Sequence, residues 1–354
     1  MSALELALMS ALIAQSIDIA RLDAGERGKV FAMLDRLQSD LTTLMGSRVL
    51  SEMGRAQTSA LLKEVTALIQ ETYTEVQLDI AATLSGLAPV QADATAGAIE
   101  GVLNITLGSS SVPSATYLET LASNVLIDGS PVKAWFERQA GDVAFRFAGE
   151  LRKGLVAGET NQQIISRVVG TKDVPGIMPI ARKNAAALVQ TSVATVAQEA
   201  KNATYAKNAD IIKGTAWLST LDGHTCEVCA NLDGQQWYLD GAAMPGTTMP
   251  FSSPPSHWNC RCVAVPVLKP MSEISGGVLP DIPLTGSRAS VDGPVPRGTT
   301  FADWFANRTY EQQVDQFGKG KVDLYREGKI TLRDMLDFSG RPLTLDQLKA
   351  KIKR

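Results

Sequence analysis

Apolar residues in the first two hundred positions recur at helical intervals. Val30, Leu34, Leu37, Leu41 and Leu44 follow one another at spacings of four and three, which lines them along one stripe of a helix that must bury against a neighbour. Leu61, Val65, Leu68, Thr72 and Val76 repeat the pattern on a second long helix, with Gly46 and Gly54 marking the break between the two. Such stripes are read first as intramolecular core and second as a docking or oligomer seam. Gly86 to Ser114 is rich in small residues and weakly patterned, so a loose connector or a poorly packed helix is expected there. Ser130 and Pro131 open a further helix, Ser as N-cap and Pro at the first helical position, where its missing N–H costs nothing. That helix carries Trp135, Val143, Phe145, Phe147 and Leu151 and stops near Gly154. Thr160-Asn161-Gln162-Gln163 has capping-box spacing and starts a short helix through Ile164, Ile165 and Val168, bounded by Gly170. Ala181 to Lys207 reads as a long helix whose Ala-rich, polar composition suits a spacer or packing strut more than a core element.

After Lys207 the pattern changes to short, strand-like runs: Trp217-Leu218-Ser219, Leu232-Asp233-Gly234-Gln235-Gln236-Trp237 and Val263-Ala264-Val265-Pro266-Val267. They read as a compact β-rich unit. Pro270 to Gly298 then holds prolines at 280, 283, 294 and 296 and glycines at 276, 277, 286, 293 and 298, the composition of an extended linker or surface-wrapping arm. Thr300 caps a final helical segment with Phe301, Trp304 and Phe305 on one side. Lys319 to Arg354 holds ten Lys and Arg against five Asp and Glu, and the arm is read as a flexible tether to this basic tail. The expected class is α+β: a mainly helical amino-terminal half, a small β-containing Cys/His domain, and a carboxy-terminal extended arm with short helices. The expected segments are 1–175 (helical domain), 176–268 (core domain with the Cys/His cluster), 269–299 (Pro/Gly linker or arm) and 300–354 (basic helical tail).

All four cysteines of the chain fall in that β-rich window, as Cys226-x-x-Cys229 and Cys260-x-Cys262, with His257 three residues before the second pair. A Cys-x-x-Cys knuckle set against a Cys-x-Cys or His-x-x-Cys pair is the donor arrangement of a tetrahedral zinc site. Alternate residues on a strand point to one side, so Cys260 and Cys262 are expected to face one ion together. The leading reading is a structural zinc held by Cys226, Cys229, Cys260 and either Cys262 or His257. A metal-free thiol cluster and a disulfide formed in an oxidising setting remain alternatives. A catalytic zinc is disfavoured: a nucleobase deaminase needs His-x-Glu, and His224-Thr225-Cys226 lacks the glutamate. No His-Glu-x-x-His helix and no P-loop are present. The two histidines, His224 and His257, limit a Cys–His nucleophile pair to this same window. Arg261, between two cysteines, is expected to form a local salt bridge.

Composition narrows the classes further. With 354 residues, 45% hydrophobic and 20% charged, the chain is that of an ordinary globular protein with more than one core. A net charge of −3 does not announce nucleic-acid binding. No run of about 18 apolar residues is present, so no membrane span is expected, and the amino terminus lacks the basic start of a secretory signal. Synthesis and assembly in the cytoplasm are therefore expected.

Trp217, Asp222, Cys226-x-x-Cys229, Leu232-Asp233-Gly234, Pro254-Pro255-x-His257 and Cys260-Arg261-Cys262, in this order and spacing, resemble the signature of the phage Mu F-like minor head proteins. The resemblance spans Ile180 to Leu268 and includes the helix ending in Tyr205-Ala206-Lys207-Asn208. It departs at Gln190-Thr191-Ser192, where relatives often carry Arg-Thr-Glu, so no role of that charged pair is carried over. The resemblance implies a tailed-bacteriophage head morphogenesis protein, a minor capsid component of the virion present in several copies. It would assemble in the host cytoplasm at the portal vertex or inner head. The implied partners are the portal protein, the major capsid protein or scaffold, and packaged double-stranded DNA. No catalytic residue is implied. The alternative is a phage-delivered nuclease or toxin-type enzyme carried on a head-protein scaffold. Docking is assigned to the stripe Val30 to Leu44 or to an aromatic face of Trp135, Phe145 and Phe147. Lys349, Lys351, Lys353 and Arg354 read first as a solvated helix tail and, alternatively, as a contact to packaged DNA or an acidic partner.

Overall fold

A computed structural model describes residues 3–105, 107–108, 111–171, 175–274, 287–296 and 298–352. Residues 275–286 of the expected linker, and Lys353 and Arg354, lie outside the described residues. The class is α+β, as the sequence leads one to expect. Helices α1 (Ala3–Gly46) and α2 (Arg55–Leu103) come first, then α3 (Ala115–Asn124). A two-strand ribbon follows, β1 (Leu126–Ile127) with β2 (Ser130–Pro131), and then α4 (Val132–Val156), α5 (Asn161–Val169) and α6 (Ile177–Lys207). The chain then enters β3 (Ile212–Leu218), α7 (Glu227–Leu232), β4 (Gln236–Tyr238) and β5 (Val263–Leu268). The last described elements are α8 (Met271–Ile274), β6 (Ser287–Ser290), β7 (Gly293–Pro296), α9 (Phe301–Ala306), α10 (Tyr310–Phe317), α11 (Lys319–Arg326) and α12 (Leu345–Ile352). No helix among the described residues is long and apolar enough to cross a membrane.

Backbone contacts divide the chain into two units. One, the helical unit, comprises Asp18–Pro89 and Ala115–Val196; the other, the mixed unit, comprises Met1–Ile17, Val90–Ser114 and Ala197–Arg354. In the helical unit α1 and α2 run antiparallel, with Arg36 paired to Glu75 and Arg48 to Glu64, both at 2.6 Å. Val30, Leu34, Leu37 and Leu41 on α1, and Leu61, Val65 and Val76 on α2, are fully buried. The stripe is core. Asn161, first residue of α5, braces the turn between α1 and α2: its side chain donates to the Arg48 carbonyl and accepts from Leu50 N at 3.1 Å. The Thr160–Gln163 capping box is present as the sequence indicates. Gly154 permits α4 to approach α5, since a Cβ there would sit 2.5 Å from Ile164 Cγ1.

Several readings of this region need correction. Gly86 to Leu103 is the continuation of α2 rather than a connector, because Ala88, Ala92, Ala96, Ile99 and Leu103 form a buried small-residue stripe at spacings of four and three. Ser130 does not cap a helix: Asp128 and Gly129, at φ 48° and 78°, make a two-residue turn that pairs Ser130 and Pro131 with Ile127 and Leu126. Helix α4 therefore begins at Val132, after Pro131. The aromatic face does not exist, since residues two apart cannot share a helix face. Phe147 is buried, Phe145 is 81% exposed, and Trp135 is half-buried with its indole N–H donating to Ile127 O at 2.7 Å.

The mixed unit is built on an antiparallel three-stranded sheet, β4-β3-β5. One face carries Ile212, Ala216, Val265 and Val267 into a core with Leu8, Leu12, Ile99, Leu103 and Tyr205. Gly214 is required in β3: a Cβ there would lie 2.0 Å from Trp237 O. Helix α6 is no mere strut. Gln198 accepts from Ala264 N at 3.0 Å, Tyr205 is fully buried, and Tyr205 OH donates to Ala264 O at 3.4 Å. Lys201, 2% exposed on the same helix, is held by burial well below its usual range, at about 8. The folded state thus binds this proton less tightly than the unfolded chain. Stability should rise with pH between about 8 and 10.5 on this account. Lys201→Met should remove that rise and raise stability at pH 7 by roughly 3 kcal/mol. Urea unfolding at pH 7 and pH 10 checks it; an unchanged pH slope in the variant would refute the assignment.

The carboxy-terminal region is not a tethered tail. Phe301, Trp304, Phe305, Phe317, Val322 and Leu348, from α9 to α12, share a core with Leu221 and Ala230 of the cysteine window. The arm's described part is likewise docked: β6 and β7 form a hairpin whose Ser290 bridges to Leu221. Several of the basic residues are already paired, Lys319 with Asp323, Lys321 with Glu227 and Lys351 with Asp334.

Candidate metal centre

The first cysteine pair is set by a helix start. Cys226 is the N-cap of α7 and its sulfur accepts from Cys229 N at 3.5 Å, so both sulfurs turn to the same side of the first turn. Trp217 holds this turn to the sheet from below: its indole N–H donates to Ser219 Oγ at 2.9 Å, and Ser219 Oγ donates to Cys229 O at 2.6 Å. The second pair arrives on a loop. Asn259 takes a left-handed φ of 60°, and Cys260 N donates to His257 O at 3.2 Å, which places His257 and Cys260 side by side. Strand β5 starts only at Val263, so Cys260 and Cys262 meet the cluster from this turn and not as alternate strand residues.

The five residues converge in two groups that share Cys229. Cys226, Cys229 and His257 form one, and Cys229, Cys260 and Cys262 the other, with the donor atoms of each within 4.8 Å of one another. His257 Nε2 lies 3.2 Å from Cys226 Sγ and 3.1 Å from Cys229 Sγ, and Cys229 Sγ lies 3.8 Å from Cys260 Sγ. Zinc bound at about 2.3 Å by tetrahedral sulfurs sets them about 3.8 Å apart, so the sulfur spacing suits that ion. His257 Nδ1 faces Trp258 O at 2.9 Å. That contact leaves Nε2 as the free lone pair, the outer-sphere arrangement of metal-binding histidines.

Electrostatics within the cluster point the same way. Contact with Cys229, opposed by burial and aided by His257, draws Cys226 down to about 4. Contacts with Cys229 and Cys262 pull Cys260 well below the thiol range. The neighbouring sulfurs of Cys226, Cys260 and Cys262 push Cys229 up. Cys262 is favoured in its ionised form by Cys229, but Cys260 and burial outweigh this and raise it to about 12. The sulfurs of Cys226 and Cys260 raise His257 to about 11. The lowered thiols and the raised imidazole make a cluster of ionised groups held by their own contacts, and a bound cation would take the place of the imidazole and thiol protons. The residues fit zinc.

A nucleophile pair is a poorer description. His257 Nε2 is equally close to two sulfurs, and its other nitrogen faces a backbone carbonyl rather than a carboxylate. The other histidine, His224, is exposed, and its backbone N–H donates to Asp222 Oδ1. Arg261 does form the local salt bridge expected of it, with two contacts to the Asp222 carboxylate. The wider frame was not read from sequence. Lys321 on α11 pairs with Glu227 on α7 at 2.6 Å, Gln316 Nε2 donates to Asp222 O and Thr225 O, and Asn231 Nδ2 donates to Leu332 O. These hold α7 against the carboxy-terminal helices.

Residues 146–265 match the family model described as Phage Mu protein F like protein. The matched span runs from within α4 to within β5 and contains all five cluster residues. Over these residues the chain is similar to that family. Neither the curated proteins nor the solved structures searched contain a match.

Proposed function

We propose that this chain, with its Phage Mu protein F like domain, is a minor head protein of a tailed bacteriophage. It acts at the portal vertex or on the inner face of the head, and its partners are the portal protein, the major capsid protein or scaffold, and packaged double-stranded DNA. The observation that carries the reading is the family match over residues 146–265. The Cys/His cluster inside that match, with Cys229, Cys260 and Cys262 buried, supports it as a rigid structural centre. In this role the chain assembles in the host cytoplasm and resides in the virion. It needs no active site. The enzyme alternative finds its best support in the Cys226–His257 contact, and the metal geometry accounts for that contact better.

When bound, zinc would supply a cross-link and a charge balance, with Cys226, Cys229, Cys260 and Cys262 or His257 as its holders. Mass spectrometry and reconstruction of purified particles test the placement. The chain should appear in mature heads and proheads at a few copies, with density at the portal vertex; absence from both particle types overturns the proposal. Elemental analysis of the purified chain should give one zinc per molecule. Stripping it with a strong chelator should lower unfolding stability by several kcal/mol. An unfolding midpoint indifferent to chelation would remove the structural role of the metal.

A further inference from the structure

Five donors surround a site that needs four. We infer that Cys226, Cys229, His257 and Cys260 hold the ion, and that Cys262 is a buried thiol beside it rather than a ligand. The inference rests on the zinc reading above and decides between the two fourth ligands which the sequence leaves open.

The two groups overlap only at Cys229, with Cys226 and His257 on one side of it and Cys260 and Cys262 on the other. A tetrahedral ion has room for four donors, so one donor of the second group joins the first three and the other is left beside the ion. His257 ties the first three together. Its Nε2 touches both Cys226 and Cys229, at 3.2 and 3.1 Å, so those three donors already surround one point. Its Nδ1 faces the Trp258 carbonyl, which fixes the ring with the Nε2 lone pair aimed at that point. The knuckle is formed on the same side, with Cys229 N donating to the Cys226 sulfur.

Cys260 is the natural fourth donor. Its sulfur is 3.8 Å from that of Cys229, the edge of a zinc–sulfur tetrahedron, and the Asn259 turn sets it beside His257. Cys262 lies one step further along, next to the start of β5, in the apolar cluster of Trp217, Leu232, Trp237 and Leu336 that Cys229 and Cys260 also join. The Cys262 sulfur has no contact to His257 like those of Cys226 and Cys229.

The test uses the full chain with zinc, and with cobalt(II) as a spectroscopic probe. Cys262→Ser should keep one metal per chain, zinc affinity within about threefold in chelator competition, and an unchanged cobalt spectrum. His257→Ala should weaken zinc at least tenfold, and His257→Cys should restore binding with a stronger sulfur-to-cobalt charge-transfer band. His257 is exposed, so its replacement does not open the core. If Cys262→Ser loses zinc by tenfold or more, or His257→Ala keeps it within threefold, the ligand set is wrong. If the unmodified chain takes up neither zinc nor cobalt, the zinc reading itself fails, and the two failures are told apart by that measurement.

Discussion

Replacing Asp233 with Ala should destabilise the mixed unit by about 3–5 kcal/mol and loosen the carboxy-terminal helices from the metal centre. Asp233 follows α7 directly, and its carboxylate is buried among four donors. Ser219 N lies at 2.8 Å, Phe301 N at 2.7 Å, and Arg288 makes two contacts at 2.6 and 2.9 Å. Arg288 in turn donates to Ser219 O and Thr299 O, and the two side chains are 7% and 2% exposed. One carboxylate thus joins the sheet, the β6–β7 hairpin and the first turn of α9. Its removal strands a buried guanidinium and two backbone N–H groups, which is the costly way to break a buried pair. Changing both partners, Asp233→Leu with Arg288→Met, should recover part of the loss, since no charge is then left alone. Urea unfolding of the three proteins measures this. A single-variant loss below about 1 kcal/mol would mean that water replaces the carboxylate and that it joins nothing.

The sequence shows Asp233 only as part of a turn, and Arg288 only as a cation in a Pro/Gly-rich stretch. Their pairing links positions 55 residues apart, and neither period nor composition encodes a contact of that kind. The cysteine window is different. Its four sulfurs and one imidazole lie close in the chain, so local knuckle geometry reveals the site. Asn259 could have been noticed, because Asn tolerates the left-handed turn that brings His257 and Cys260 together. The helical stripes were legible for a general reason: buried faces repeat. They were legible only to within a residue, since Leu44 and Leu68 are half-buried while Met45 and Ile69 are fully buried. A repeat of 3.5 drifts against 3.6 residues per turn, and the buried position moves on by one. The small-residue half of α2 is hard to see in the sequence because alanines carry little hydrophobic signal, although they permit close packing.

Leu37→Asp with Leu41→Asp should leave the helical unit unfolded at 25 °C, and the protein should be missing from heads for that reason. Both leucines are 0% exposed. Truncating each would cost about 2–5 kcal/mol, and a buried, unpaired carboxylate adds more at each position. The total reaches the whole stability of a typical domain, about 5–15 kcal/mol. A docking seam would behave otherwise: the variant would keep its helical circular dichroism and cooperative melting and fail only to join the particle. Phe145→Asp supplies the contrast. That ring is 81% exposed on α4, so its loss should change stability by no more than about 0.5 kcal/mol. If the paired leucine variant melts within a few degrees of the unmodified protein, the stripe is a surface after all. If Phe145→Asp alone keeps the folded protein out of heads, the docking surface lies on the exposed side of α4, and the buried stripe serves only to hold that side in place.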